Sequence, residues 1–228
     1  MGDEAEAHAR HPTAFWKEGA KAVILDTITL TTQMLENLKN KRVILASGSP
    51  RRRELLKGLG VTFDVVTKEG VGESYPDNLS TKDVAEYIAN EKADAYADDM
   101  GDDDIVITAD TVVVAGNKIL GKPADEDDAR QMLRSLSGQT HKVITGVCIM
   151  TRDRRTSFSV KTKVTMRQLT DETIDHYVRT ARPLDKAGAY GIQEWIGLVG
   201  IDYIEGSYQN VMGLPTQRLY AELRTIGN

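Results

Sequence analysis

The chain has 228 residues, 40% hydrophobic and 28% charged, with a formal net charge of −5; such a balance suits one large or two small globular domains. An acidic chain with one small basic cluster argues against stable nucleic-acid binding and suits a small anionic ligand. The single Cys148 excludes an intramolecular disulfide and a cysteine-based zinc site, and no apolar run approaches the roughly 20 residues of a membrane helix.

Residues 1–40 read as an extension: a polar tail followed by a helix over 22–39 that carries Ile24, Leu25, Ile28, Met34, Leu35 and Leu38. No signal-peptide pattern opens the chain, and Glu6 breaks the myristoylation motif that Met1-Gly2 would begin. The expectation is a reducing, cytoplasmic location, with the folded domain over 41–228. Residues 43–46 then read as a buried strand, Ser49 as a helix N-cap, Pro50 as the first helical residue and Gly60 as the end of a helix over 50–59. With a second strand over 61–66, this βαβ-like start predicts an α/β fold. Arg51, Arg52 and Arg53 crowd the first turn of that helix, where the dipole disfavours cations. Either they are solvated or they face a polyanion. Successive helical residues point about 100° apart, so one or two can reach a single phosphate, and Arg53 is the expected outsider.

A Gly-rich, acid-bearing loop fills 67–79, and a helix starts at Ser80 or Thr81 and runs to about Ala97, with Val84 and Ile88 buried and Lys92 one turn further along the same stripe. A lysine there snorkels at a rim or enters a cleft. Residues 98–104 form an acidic loop without calcium-loop spacing. Strands over 105–108 and 112–115 flank Asp110, a carboxylate inside an apolar β run that must be satisfied or functional. Gly116-Asn117 turns the chain toward Lys122, which is held between Gly121 and Pro123. A helix over 125–136, a long hairpin of 141–150 with 156–166, a helix from Thr170 to about Thr180, a polar loop over 185–193, a strand over 199–204 and a last helix over 215–226 complete the chain.

Singly, these site candidates have ordinary explanations: surface arginines, a satisfied strand acid, solvated lysines. Together they suit hydrolysis of a polyphosphate, in which cations neutralise phosphate oxygens and a carboxylate activates water or positions a divalent metal. A glutamine such as Gln193 beside a Gly-rich loop suits a base edge. P-loop and dinucleotide-binding motifs are absent, and the four histidines show no ligand spacing.

Six segments occur in order: Ala46-Ser47-Gly48-Ser49-Pro50-Arg51-Arg52, Glu91-Lys92-Ala93, Ala109-Asp110-Thr111, Gly121-Lys122-Pro123, Leu136-Ser137-Gly138-Gln139-Thr140-His141 and Asp185-Lys186-Ala187-Gly188-Ala189-Tyr190-Gly191-Ile192-Gln193. On these the chain resembles the Maf family, the septum-formation-inhibitor-like nucleotide pyrophosphatases, from residue 42 to about 226. The resemblance implies an α/β fold with a mixed, largely antiparallel sheet, flanking helices and two lobes around a deep cleft. It implies hydrolysis of a nucleoside triphosphate to the monophosphate and pyrophosphate with Mg²⁺ or Mn²⁺, and suggests a homodimer. By the same resemblance Asp110 is the general base and a metal ligand, and Lys92 and Lys122 join it as catalytic residues that bind phosphate or shape the cleft. Ser47, Arg51 and Arg52 bind phosphate or shape the cleft. Arg51, Thr111 and Gln193 together resemble the branch that favours dTTP, UTP and modified pyrimidine nucleotides. In the loop Lys68-Glu69-Gly70-Val71-Gly72-Glu73-Ser74, Glu73 best matches the family's loop acid, a second metal ligand. The alternative is a nucleotide-binding regulator of cell division that needs no turnover, which the intact Asp110, Lys92 and Lys122 disfavour.

Overall fold

A seven-stranded mixed sheet carries the architecture, in a computed structural model that describes residues 35–72 and 74–227. Glu73, the polar tail and most of the helix expected over 22–39 lie outside the described residues; Glu36–Leu38 forms one 3-10 turn. Strand β1 (Arg42–Leu45) leads into helix α1 (Pro50–Gly58), which returns to the short edge strand β2 (Asp64–Val65). Helix α2 (Val84–Asp94) precedes β3 (Asp104–Ala115), the turn to β4 (Lys118–Leu120), and helix α3 (Glu126–Leu136). The hairpin β5 (Thr140–Met150) and β6 (Arg155–Met166) is followed by α4 (Asp171–Ala181), α5 (Trp195–Gly200), β7 (Ile201–Glu205), α6 (Tyr208–Met212) and α7 (Thr216–Leu223). The strand order is β2-β1-β3-β5-β6-β7, with β4 added on β3; β1 pairs in parallel with β2 and β3, and the other pairs are antiparallel.

Period-two alternation assigns the faces. On β3, Ile105, Ile107 and Ala109 pack with Leu56 of α1 and with Leu219 and Leu223 of α7. The intervening Val106 meets Ala89 and Ala93 of α2, and Val112 and Val114 meet Val84, Ala85 and Ile88. Beyond the middle of β3, Val113 joins a separate cluster with Leu133 of α3 and Tyr177 of α4. The 3-10 turn before β1 docks beside α7: the Asn37 amide donates to the Leu223 and Ile226 carbonyls at 2.8 and 2.9 Å.

Several expected boundaries move. The strand over 61–66 shrinks to Asp64–Val65, because Val61 turns into the core while the sheet edge pairs only at Ile44 and Leu45. Helix α2 starts at Val84 and ends at Asp94, later and earlier than its apolar stripe suggested. The β run through Asp110 is, as expected, one continuous strand of 12 residues. Residues 199–200 belong to α5 instead of the following strand. Six and five residues respectively, α5 and α6 are too short for helical periodicity to show.

The sharpest packing constraint is at Gly146, which pairs with Asp110 across β5 and β3. A Cβ there would lie 2.3 Å from the Ala85 carbonyl carbon and oxygen and from the Glu86 nitrogen. Those are helix backbone atoms, which cannot step aside. Gly146→Ala is therefore expected to destabilise the fold by at least about 2 kcal/mol, read from the urea unfolding midpoint.

Candidate active site

The β1–α1 turn sets one wall. Ser49 caps α1, accepting from the Arg52 N–H at 3.5 Å, and Pro50 occupies the first helical position. From that start the three arginines diverge. The Arg52 guanidinium donates to the Gly213 carbonyl at 2.8 Å, to Thr111 Oγ1 at 3.1 Å and to Ser47 Oγ at 3.3 Å. It braces α1 against β3 and against the end of α6. Arg51 crosses to Asp185, Nη1 to Oδ2 at 3.3 Å. Arg53 is exposed, as the fan of the helix predicts.

Adjacent residues of β3 serve opposite faces. Asp110 points toward α2, where Lys92 Nζ meets its Oδ1 at 2.7 Å, with the side chains 11% and 16% exposed. A carboxylate so buried requires a partner of opposite charge, and the two-turn spacing from Ala85 at Gly146 puts Lys92 within reach. Thr111 points the other way, taking the Arg52 bond and meeting Thr145 Oγ1 at 3.0 Å. Thr145 in turn donates to the Asn210 carbonyl at 2.9 Å.

The opposite wall is the loop after α4. Lys186 is buried, and its ammonium bridges Asp185 Oδ1 at 2.6 Å and Glu194 Oε1 at 3.1 Å. Tyr177 Oη donates to Glu194 Oε2 and accepts the Gly191 N–H at 3.0 Å. The Gly188 N–H bonds to the Gly121 carbonyl at 3.0 Å, joining this loop to the segment that carries Lys122. Partial burial opposes ionisation of Asp185, but Lys186 and then Arg51 outweigh it and hold its carboxyl below the ordinary range. Burial, reinforced by the bond to Glu194, pushes the Tyr177 phenol far up.

Between these walls lies a cleft of about 640 Å³, within the usual span of about 300–1,000 Å³ for small-molecule sites. Ser47, Arg51, Arg52, Lys92, Asp110, Thr111, Lys122 and Gln193 all line it, so the structure gathers every described site candidate in one place; Glu73 lies outside the described residues. Sequence reasoning did not single out Asp185 and Lys186, which line the cleft, nor Glu194, which anchors Lys186. Asp185-Lys186 opens a recognised motif, but nothing in the residue order says that this lysine is buried between two carboxylates. Cys148 is buried, its thiol pushed up to about 11 chiefly by burial, which leaves it a packing residue.

Comparison with known proteins follows the same boundaries. A family model described as Maf-like protein matches residues 42–226. A dTTP/UTP pyrophosphatase of Phocaeicola vulgatus is 56% identical over 193 residues, covering 85% of this chain and 100% of the relative. A dTTP/UTP pyrophosphatase of Parabacteroides distasonis is 51% identical over 191 residues, covering 84% and 99%. Among solved structures, a HAM1 protein from Coxiella burnetii aligns with a TM-score of 0.44 at 14% identity, covering 80% of this chain and 98% of that one.

One buried group behind the cleft makes stability depend on pH. His141 Nε2 contacts Tyr190 Oη at 2.8 Å, while its Nδ1 has no partner among the described residues. Burial lowers its pKa to about 4. The unfolded chain therefore binds a proton first as pH falls, so the neutral ring's contribution is complete above the unfolded value and is lost from about 6.5 down to about 4. Wild type is expected to lose on the order of 3 kcal/mol over that interval from this group, and His141→Gln to lose correspondingly less, in urea unfolding at stepped pH.

Proposed function

The chain belongs to the Maf-like family, and from that premise we propose that it hydrolyses dTTP, UTP and modified pyrimidine nucleoside triphosphates to the monophosphate and pyrophosphate. The carrying observation is the buried Asp110–Lys92 pair, set in a cleft that Arg51 and Lys122 also line. Asp110 acts as general base: it takes a proton from water as the water oxygen bonds to the α-phosphorus, and the bond to the pyrophosphate oxygen breaks. Lys92 fixes the carboxylate through Oδ1. Arg51 and Lys122 meet the negative charge that grows on the departing pyrophosphate. Arg52, with three bonds to oxygens of its own chain, shapes the wall against which the phosphates lie.

A divalent cation belongs to the same reading. Mg²⁺ or Mn²⁺ needs one or two carboxylates, with water and substrate phosphates completing the shell. The cleft supplies Asp110, so its donors suit an ion carried in on the triphosphate; Glu73 is the proposed second ligand. Among the described residues no three His, Cys, Asp or Glu gather into a metal site of their own. Bound there, the ion would neutralise charge on the phosphate oxygens.

The family match begins at residue 42, which supports a catalytic domain over 41–228 and an extension over 1–40. No helix of the described residues is long and apolar enough to cross a membrane; a cytoplasmic location is part of the proposal. For a homodimer, Leu198 at 82% and Tyr203 at 62% exposure offer the apolar surface.

Pyrophosphate release from dTTP and UTP with Mg²⁺ or Mn²⁺ tests the activity. Asp110→Asn is expected to lower kcat by at least about 100-fold. Arg51→Ala should cripple turnover while Arg53→Ala leaves it nearly intact. Tight binding of dTTP without pyrophosphate release would move the assignment to a nucleotide-binding regulator.

A further inference from the structure

A cleft built for a polyanion should exclude carboxylates that serve no purpose, because each repels phosphate. Asp110 has its purpose. Asp185 stands on the opposite wall with its side chain 62% exposed, in the same cleft. It is not a loose surface acid. Lys186 holds Oδ1 at 2.6 Å and Arg51 holds Oδ2 at 3.3 Å. Lys186 itself is anchored by Glu194, and Glu194 by Tyr177, whose oxygen also takes the Gly191 N–H. The bridge from residue 186 to residue 194 pins both ends of the short loop that displays Gln193. A Cβ on Gly191 would come within 3.0 Å of Gln193 Nε2, so the amide lies back over that backbone. An anchored carboxylate acceptor and a carboxamide therefore sit on one rigid loop.

That pair suits a neutral edge that offers a donor beside an acceptor. Uracil and thymine present N3–H between two keto oxygens. Cytosine presents a bare N3 lone pair at the same place, which a carboxylate repels. Resting on the pyrophosphatase reading above, we propose that Asp185 is a specificity-determining residue: its carboxylate accepts the N3–H of a uracil or thymine base while the Gln193 amide donates to a neighbouring keto oxygen. Arg51 then links the two ends of the ligand, since it holds Asp185 from the helix whose start faces the phosphates.

The test is calorimetric binding of the α,β-methylene analogues of UTP and CTP to the full chain, with pyrophosphate release from UTP measured in parallel. Wild type is expected to prefer the uridine analogue, and Asp185→Asn to cut that preference at least about tenfold with cytidine affinity kept or improved. Asp185→Glu, which retains the carboxylate, is expected to keep the sign of the preference. Equal loss for both analogues, or an unchanged ratio, would overturn the assignment and leave Asp185 as a brace for Arg51. Selective uridine binding without any pyrophosphate release would instead overturn the pyrophosphatase reading and leave base recognition standing.

Discussion

A charge buried in a sheet governs this molecule. Asp110 lies midway along a strand otherwise built largely of Val, Ile, Ala and Thr, and is only 8% exposed. An uncompensated carboxylate there would cost several kcal/mol, so a cation must be delivered to it. Delivery falls to α2, and α2 reaches the sheet because Gly146, the cross-strand neighbour of Asp110, has no side chain to hold the helix off. The contact at Ala85 sets the height of the helix, and Lys92 arrives two turns later. A glycine on one strand, a small residue on a helix and an ion pair on the next strand are thus one arrangement.

The opposite face obeys a softer rule. Arg52 collects a carbonyl and two hydroxyls from three separate segments. The arginine is structurally engaged and lines the cleft at the same time. Arg51, by contrast, is answered by Asp185, and Asp185 by Lys186. Arg51 thus couples the helix that starts beside Ser47 to the loop that carries Gln193.

Much of this was legible in the residue order. The strand, Ser-Pro turn and arginine-bearing helix over 43–58 followed from capping and from apolar spacing, and the long hairpin from its alternation. Asp110 announced itself as a carboxylate in an apolar run. What stayed hidden depends on contacts distant in sequence. The edge strand β2 is short because its neighbour offers only two pairing positions, a fact of the sheet and not of residues 61–66. Helices α5 and α6 span too few residues to show a period. The burial of Lys186 is set by Glu194 and by packing around Tyr177, and local composition around a lysine carries no sign of it.

The bond from Arg52 to the Gly213 carbonyl also constrains how the protein is made. Gly213 follows Arg52 by 161 residues, and Leu214, Leu219 and Leu223 complete the cluster beneath α1. While those residues are still within the ribosome, β1, α1 and β3 lack one side of their core and Arg52 lacks its carbonyl. The cleft is thus completed only once those residues have emerged, and earlier ribosome-bound intermediates expose the apolar face of β1 and β3 to whatever holds nascent chains.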